Sequence, residues 1–211
     1  MPLIRKGAEA ELFLENLYGL KVIRKARKIK AYRLPRLDFK IRHSRTRHEA
    51  QIMHEAKLAG VPTPIIFMVD AKATAIIMKY VDGTRVKEML DTLTSDGRIK
   101  LCEKVGQLIG RLHRNKIIHG DLTTSNMIIT EGDKIFFIDF GLAEYSDELE
   151  KRGVDLLLLK RAFSSTHYSH AKKCFKAVIN GYAKEMGEEA CRAVVERVNN
   201  IAKRGRYVLN R

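Results

Sequence analysis

Acidic side chains are in short supply in this chain: 25 Asp and Glu face 40 Lys and Arg, a formal charge of +15 with a pI near 9.8. That surplus exceeds what an enzyme needs to hold one nucleotide, and it points to an anionic partner. Cysteine is scarce too. Cys102, Cys174 and Cys191 form no Cys-x-x-Cys pair, which argues against a zinc site or a disulfide framework and leaves buried, reduced thiols. The seven histidines show no ligand-like cluster. No apolar run approaches the length of a membrane span. Met1-Pro2-Leu3-Ile4-Arg5-Lys6 lacks the long apolar segment of a secretory signal, so a cytosolic protein without membrane attachment is expected.

What remains is a globular composition, 45% hydrophobic and 31% charged, in 211 residues, enough for one domain or two small lobes. The charge is uneven. Residues 1–48 carry 14 Lys and Arg against 4 Asp and Glu, which leaves 26 against 21 for the other 163. Lys21, Arg24, Lys25, Arg27, Lys28, Lys30 and Arg33 are dense enough to track phosphates, although a solvated basic face would look the same.

The most informative stretch is His119-Gly120-Asp121-Leu122-Thr123-Thr124-Ser125-Asn126, followed by a short hairpin and Ile138-Asp139-Phe140-Gly141. Phosphoryl transfer leaves little covalent work to a protein: it needs a carboxylate for the incoming hydroxyl and oxygen ligands that hold Mg²⁺ against the phosphates of ATP. Asp121 supplies the base, and Asn126 and Asp139 the metal ligands. Either motif alone is an ordinary turn, since Gly and Asp favour turns. Together they match the spacing and order of a kinase catalytic loop and its Asp-Phe-Gly.

Upstream, Ile4–Gly7 and Leu12–Leu14 flank a tight turn, so Lys6, Gly7, Ala8, Glu9 and Ala10 are expected to cover the ATP phosphates. The turn holds one glycine where kinases usually have three. Residues 19–25 read as a strand that supplies the phosphate-pairing lysine, Lys25 or in reserve Lys21. Ser44 can cap a helix to about Ala59, stopped by Gly60 and Pro62. On it Glu49 shares a face with Ile52, Met53 and Ala56 and can anchor Lys25, whereas Glu55 suits a surface pair. Strands at 64–69 and 74–78 complete an N-terminal sheet, and backbone groups near Met78, Tyr80 and Val81 would meet the adenine. Ile99, Cys102, Val105, Leu108, Ile109 and Leu112 recur at helical spacing as core, and further helices are expected at 155–163, 167–186 and 188–203.

Between Gly141 and Asp155 stand 13 residues with no Ala-Pro-Glu, which leaves no room for a long peptide-docking activation segment. Gly120 occupies the place of the catalytic-loop Arg that pairs with a phosphorylated activation loop, so that mode of regulation is not expected. The chain closes with Lys203-Arg204-Gly205-Arg206-Tyr207-Val208-Leu209-Asn210-Arg211, either a loose tail or a segment that pairs with phosphate and stacks.

Gly7-Ala8-Glu9-Ala10, Tyr32-Arg33 with Pro35 and Leu37-Asp38, Glu49-Ala50, Gly60-Val61, His119 to Met127, Ile138 to Gly141, Asp155, Arg161-Ala162-Phe163 with Ser165-Thr166-His167, and Arg204-Gly205-Arg206 resemble one family across almost the whole chain. It is the small atypical kinase and ATPase subunit of the KEOPS complex, which installs threonylcarbamoyladenosine on tRNA. Lys79, where the family usually has an acid, and the short basic tail depart from its pattern. The resemblance implies an α+β, two-lobed protein-kinase-like fold, with an N-terminal lobe over 1–79 and a mainly helical lobe over 80–211. It implies ATP and Mg²⁺ as cofactors, autophosphorylation or Ser/Thr phosphorylation, and ATPase activity. Its partners would be the tRNA threonylcarbamoyl-transferase subunit, a small accessory subunit on the N-terminal lobe, and tRNA. Two other readings use the same motifs: an aminoglycoside-type phosphotransferase, whose cationic substrates need an acidic pocket that the Lys- and Arg-rich C-terminal half lacks, and a non-catalytic nucleotide-sensing scaffold that binds tRNA.

Overall fold

A computed structural model describes residues 3–208, with side chains throughout except at residue 5 and residues 205–208. The chain opens with β1 (Leu3–Lys6), β2 (Ala10–Leu17) and β3 (Leu20–Arg27), which build an antiparallel sheet closed by β4 (Ile66–Asp70) and β5 (Ala75–Lys79). Their spatial order is β1-β2-β3-β5-β4. In β3 the register sets Lys25 opposite Leu12 on one side and Ile76 on the other, in the middle of the sheet. Period-two alternation then puts Val22 outside the face that Lys25 and Arg27 share.

Helix α1 (Pro35–Leu58) crosses this sheet. It begins nine residues before Ser44, with Leu34 at the N-cap and no side-chain cap. Pro35 at the first position and Asp38 in the first turn start it, the ring fixing φ and the carboxylate facing the positive helix end. The early half mixes basic residues with exposed apolar ones such as Leu37 and Phe39, so apolar periodicity shows only where the buried face begins: Thr46, Glu49, Ala50, Ile52, Met53 and Ala56. Asp38 is buried and accepts from Arg42 Nε at 2.7 Å and Lys30 N at 3.3 Å. The Arg42 guanidinium holds its carboxyl below the usual range despite the cost of burial.

The C-terminal part is mainly helical: α2 (Val86–Met89), α3 (Ser95–Arg114), α4 (Leu149–Thr166), α5 (Ala171–Met186) and α6 (Glu188–Val208). Thr94 caps α3, its hydroxyl accepting from Gly97 N at 3.2 Å. Five of the six residues expected on its apolar face are buried, while Ile99, in its second turn, is 37% exposed. Helices α3 and α5 approach to backbone contact: a Cβ on Gly181 would stand 1.9 Å from Glu103 O, and one on Gly106 2.0 Å from Val178 O. Helix α6 carries the segment from Lys203 to Val208 as continuous helix rather than loose tail, and residues 209–211 lie outside those described.

Short strands complete the site's frame. β6 (Thr84–Arg85) pairs with β8 (Met127–Ile129), which pairs with β9 (Ile135–Phe137), and β7 (Ile117–Ile118) pairs with β10 (Glu144–Tyr145). One core, from Ile52 and Ile76 through Leu112 and Phe137 to Leu156 and Val198, runs under both parts. Cys102, Cys174 and Cys191 are buried free thiols, and no helix among the described residues is long and apolar enough to cross a membrane.

Candidate active site

The β3 lysine is buried at the centre of an ion chain. Lys25 Nζ lies 2.6 Å from Glu49 Oε1 and 2.6 Å from Asp139 Oδ1, whereas Lys21 is exposed at the strand's start. Burial opposes the ammonium, but the two carboxylates outweigh it and hold the Lys25 pKa above the ordinary lysine value. Glu49, 2% exposed, takes a second cation: Arg27 Nη2 reaches its Oε2 at 2.6 Å. One carboxylate thus spans two cations, one oxygen each. Glu55 is half-buried and stands apart from this chain.

Asp139 sits at φ +63°, a left-handed conformation that aims its carboxylate back at Lys25. Burial raises its pKa, and the Lys25 charge more than offsets this, so the carboxyl stays ionised below the usual range. Asn126 closes a short helical turn, Thr124–Asn126, and its Nδ2 donates to Asp121 O at 3.0 Å and Asp121 Oδ2 at 2.8 Å. Both of those atoms can only accept, so the Asn126 amide nitrogen must face Asp121, and its oxygen takes no part in that pair. Ile138 N donates to Asn126 O at 3.0 Å, which ties the strand before Asp139 to the loop.

A buried scaffold supports the loop. Asp155, on α4, accepts from His119 N at 2.8 Å, Gly120 N at 2.9 Å and His113 Nε2 at 3.2 Å, while His113 Nδ1 lies 2.9 Å from Tyr182 Oη. Gly120 has φ +77°, and a Cβ there would meet Leu142 O at 2.3 Å, so only glycine fits. The place expected of an arginine is therefore backbone against backbone. The His119 ring packs 4.6 Å from Phe140, and its Nδ1 accepts from Asp121 N at 3.3 Å. Burial pushes the His119 pKa down, so the ring is neutral, with its proton on Nε2. On the loop's far side Thr124 Oγ1 lies 3.4 Å from His167 Nε2, and His167 Nδ1 lies 2.8 Å from Asp91.

Residues 6–10 form the β1–β2 turn, closed by Gly7 N to Ala10 O at 3.0 Å. Met78 is buried in β5. Tyr80 N donates to Lys21 O at 3.0 Å, so among the described residues Val81 N is the neighbouring backbone donor without an internal partner. The basic segment is more internal than its composition suggests: besides Lys25 and Arg27, Arg24 pairs with Glu15 and Arg33 lies 3.7 Å from Asp38. Beside the His119–Asn126 loop a groove of about 360 Å³ is lined by Thr123, Ser125, Leu158, Arg161, Ser165 and Thr166.

Asp155, His113, Arg27 and His167 went unread as site residues. A lone acid within Val154-Asp155-Leu156-Leu157-Leu158-Leu159 and a cation two positions beyond Lys25 on the same strand face were the available signals.

A β-sheet with one buried Lys–Glu pair, joined to a helical part that carries a His-Gly-Asp loop and an Asp-Phe-Gly, defines a protein-kinase fold. The protein kinase domain family matches residues 15–172. A KEOPS complex subunit Bud32 from Pyrococcus abyssi (strain GE5 / Orsay) is 48% identical over 98% of this chain and 96% of its own length. This chain therefore belongs to the Bud32 family of protein-kinase-like proteins. An EKC/KEOPS complex subunit bud32 from Dictyostelium discoideum is 37% identical over 97% of this chain and 82% of the relative. A protein of Methanothermobacter thermautotrophicus named "Probable bifunctional tRNA threonylcarbamoyladenosine biosynthesis protein" is 44% identical over 97% of this chain, which spans only 36% of that longer relative.

Proposed function

We propose that this chain is a magnesium-dependent, ATP-utilising Ser/Thr kinase and ATPase that serves threonylcarbamoyladenosine modification of tRNA within a KEOPS-type complex. The observation that carries the reading is the contact of Lys25 with both Glu49 and Asp139 at 2.6 Å, beside an Asn126 whose amide nitrogen is spent on Asp121. The nucleotide would lie between residues 1–79 and 80–211, under the Lys6–Ala10 turn, with its adenine near Met78, Tyr80 and Val81.

In that role Lys25 pairs the phosphates, and Glu49 keeps its ammonium in place. The Asn126 oxygen and the Asp139 carboxylate fit a hard cation that takes one or two protein oxygens and completes its shell with phosphates and water. When bound, Mg²⁺ neutralises phosphate charge. Asp121 accepts the proton of the attacking hydroxyl, with Asn126 fixing its carboxylate and Asp155 fixing the backbone that precedes it. The acceptor approaches across the groove at Thr123, Arg161 and Ser165. Its open lining suits a hydroxyl presented by a folded partner.

The names of the relatives support KEOPS membership, and so a tRNA threonylcarbamoyl-transferase subunit as partner. Exposed Leu34, Leu37 and Phe39 at the start of α1 suit a small subunit on the N-terminal lobe, and the basic residues of 1–48 suit tRNA. ATP turnover of the isolated chain, and of the chain with partner and tRNA, tests the reading. Asp121→Asn or Asp139→Ala should lower phosphate release by about two orders of magnitude or more. Unchanged turnover in both variants refutes it.

A further inference from the structure

The Gly7–Ala10 turn is held from outside by cations. Lys28 Nζ donates to Gly7 O at 2.9 Å and Lys30 Nζ to Ala8 O at 2.7 Å, while Arg45 Nη1 reaches both oxygens of Glu9 at 2.9 Å. Arg27 Nη1 stands 3.4 Å from Glu9 Oε2, and Arg27 Nη2 holds Glu49. Arg27, Lys28, Lys30, Arg33, Arg42 and Arg45 surround one pocket with a single carboxylate in its lining, Glu9. Asp38, beneath it, occupies Arg42 at 2.7 Å and Arg33 at 3.7 Å, and Lys28 also lies 3.7 Å from Glu11.

Three features point to an exchangeable anion. The Arg27 side chain is 5% exposed, and its Nε is buried without a partner. With Glu9 in place the pocket keeps about 10 Å³, room for one water at most and none for a larger anion. Glu9 itself is 46% exposed on a turn, so its side chain can leave without disturbing the core. A carboxylate offers two oxygens to this ring, whereas a phosphate offers more and suits the guanidinium fork.

We propose that this pocket is a phosphate-binding site in which Glu9 is the resident anion, and that an arriving phosphate group displaces Glu9 and loosens the turn. Arg27 gives the exchange a route inward, because its other nitrogen shares Glu49 with Lys25. Binding here does not depend on the ATP reading above; an effect on nucleotide turnover rests on it.

The test uses the full chain without nucleotide, so loss of ATPase activity and loss of this site are separable. Amide hydrogen exchange at residues 7–10 and anion affinity are measured with inorganic phosphate and with a tRNA transcript, for wild type, Glu9→Gln and Arg45→Gln, each checked for folding by circular dichroism. Either anion should speed exchange in the wild type. Glu9→Gln should exchange faster from the start and bind anion about three- to fivefold tighter, the scale of one exposed ion pair, and Arg45→Gln should bind more weakly. A response to inorganic phosphate alone assigns a free phosphate; a response to tRNA at far lower concentration assigns a nucleic-acid backbone. No change at residues 7–10 with either anion, or unaltered affinity in both variants, overturns the proposal.

Discussion

Replacing Asp155 with alanine strips three donors of their acceptor: the buried N–H of His119, the half-buried N–H of Gly120 and the buried Nε2 of His113. Each unsatisfied buried donor costs roughly 1–3 kcal/mol, and water entering the gap recovers part, so about 4 kcal/mol of stability should be lost. That is a large share of the ~5–15 kcal/mol typical of a domain. Asp155→Asn separates the contributions. Its single oxygen can keep His119 and His113, but its amide nitrogen then faces Gly120 N, which leaves one donor opposed and a cost of about 2 kcal/mol. Urea unfolding followed by circular dichroism reads both values at unchanged slope. ATP turnover should fall as well, because Asp121 hangs on the two residues Asp155 anchors. A loss below about 1 kcal/mol for Asp155→Ala would refute the view that this carboxylate organises the loop.

Glu49→Ala should be the more damaging change at the ion chain, since Lys25 and Arg27 would share a buried site with their common carboxylate gone, Lys25 keeping Asp139 and Arg27 only the half-exposed Glu9 at 3.4 Å; about 3 kcal/mol of stability should go, with a raised KM for ATP. A Glu49 variant that melts like the wild type would contradict this. Gly120→Ala combines a φ of +77° with a Cβ 2.3 Å from Leu142 O, so a loss of at least about 2 kcal/mol is expected in the same urea assay, against near-neutrality if the loop simply shifts. His119 gives a pH signature. Its folded pKa lies below the unfolded value of 6.5, so the unfolded chain binds the extra proton, and stability should fall as pH drops below about 6.5, by up to ~1.4 kcal/mol per pH unit until the folded pKa is reached. Unfolding midpoints at pH 7.5, 6 and 5 should show this slope in the wild type and a flatter one in His119→Asn.

Local pattern was enough for much of the architecture. The hairpin at Gly7, the strand through Lys25, the helix that presents Glu49 and the helices near 99–112, 155–163, 167–186 and 188–203 all rest on short-range periodicity and turn residues. Boundaries slipped where the signal was long-range. Helix α1 starts at Pro35 because buried Asp38 collects Arg42, Arg33 and Lys30, a gathering that the basic, unpatterned sequence of residues 36–47 does not display. The strand expected from Pro64 begins at Ile66, and the basic tail continues α6 to Val208.

The sequence by itself determined the motifs of this protein and the family they belong to. Asp121, Asn126 and Asp139 stand at fixed spacing in one short stretch, so their match to a kinase catalytic loop and its Asp-Phe-Gly is legible without knowledge of anything distant. Tertiary structure alone decided which lysine meets Glu49, that Arg27 shares that carboxylate, that Asp155 holds the backbone ahead of Asp121, and that Glu9 sits among cations. Each of these contacts joins residues far apart in the chain, and for Lys25, Arg27, Glu49 and Asp155 the partners are selected by the cost of leaving a buried charge unpaired. That cost is set by burial, and burial exists only once the sheet, α1 and α4 have packed.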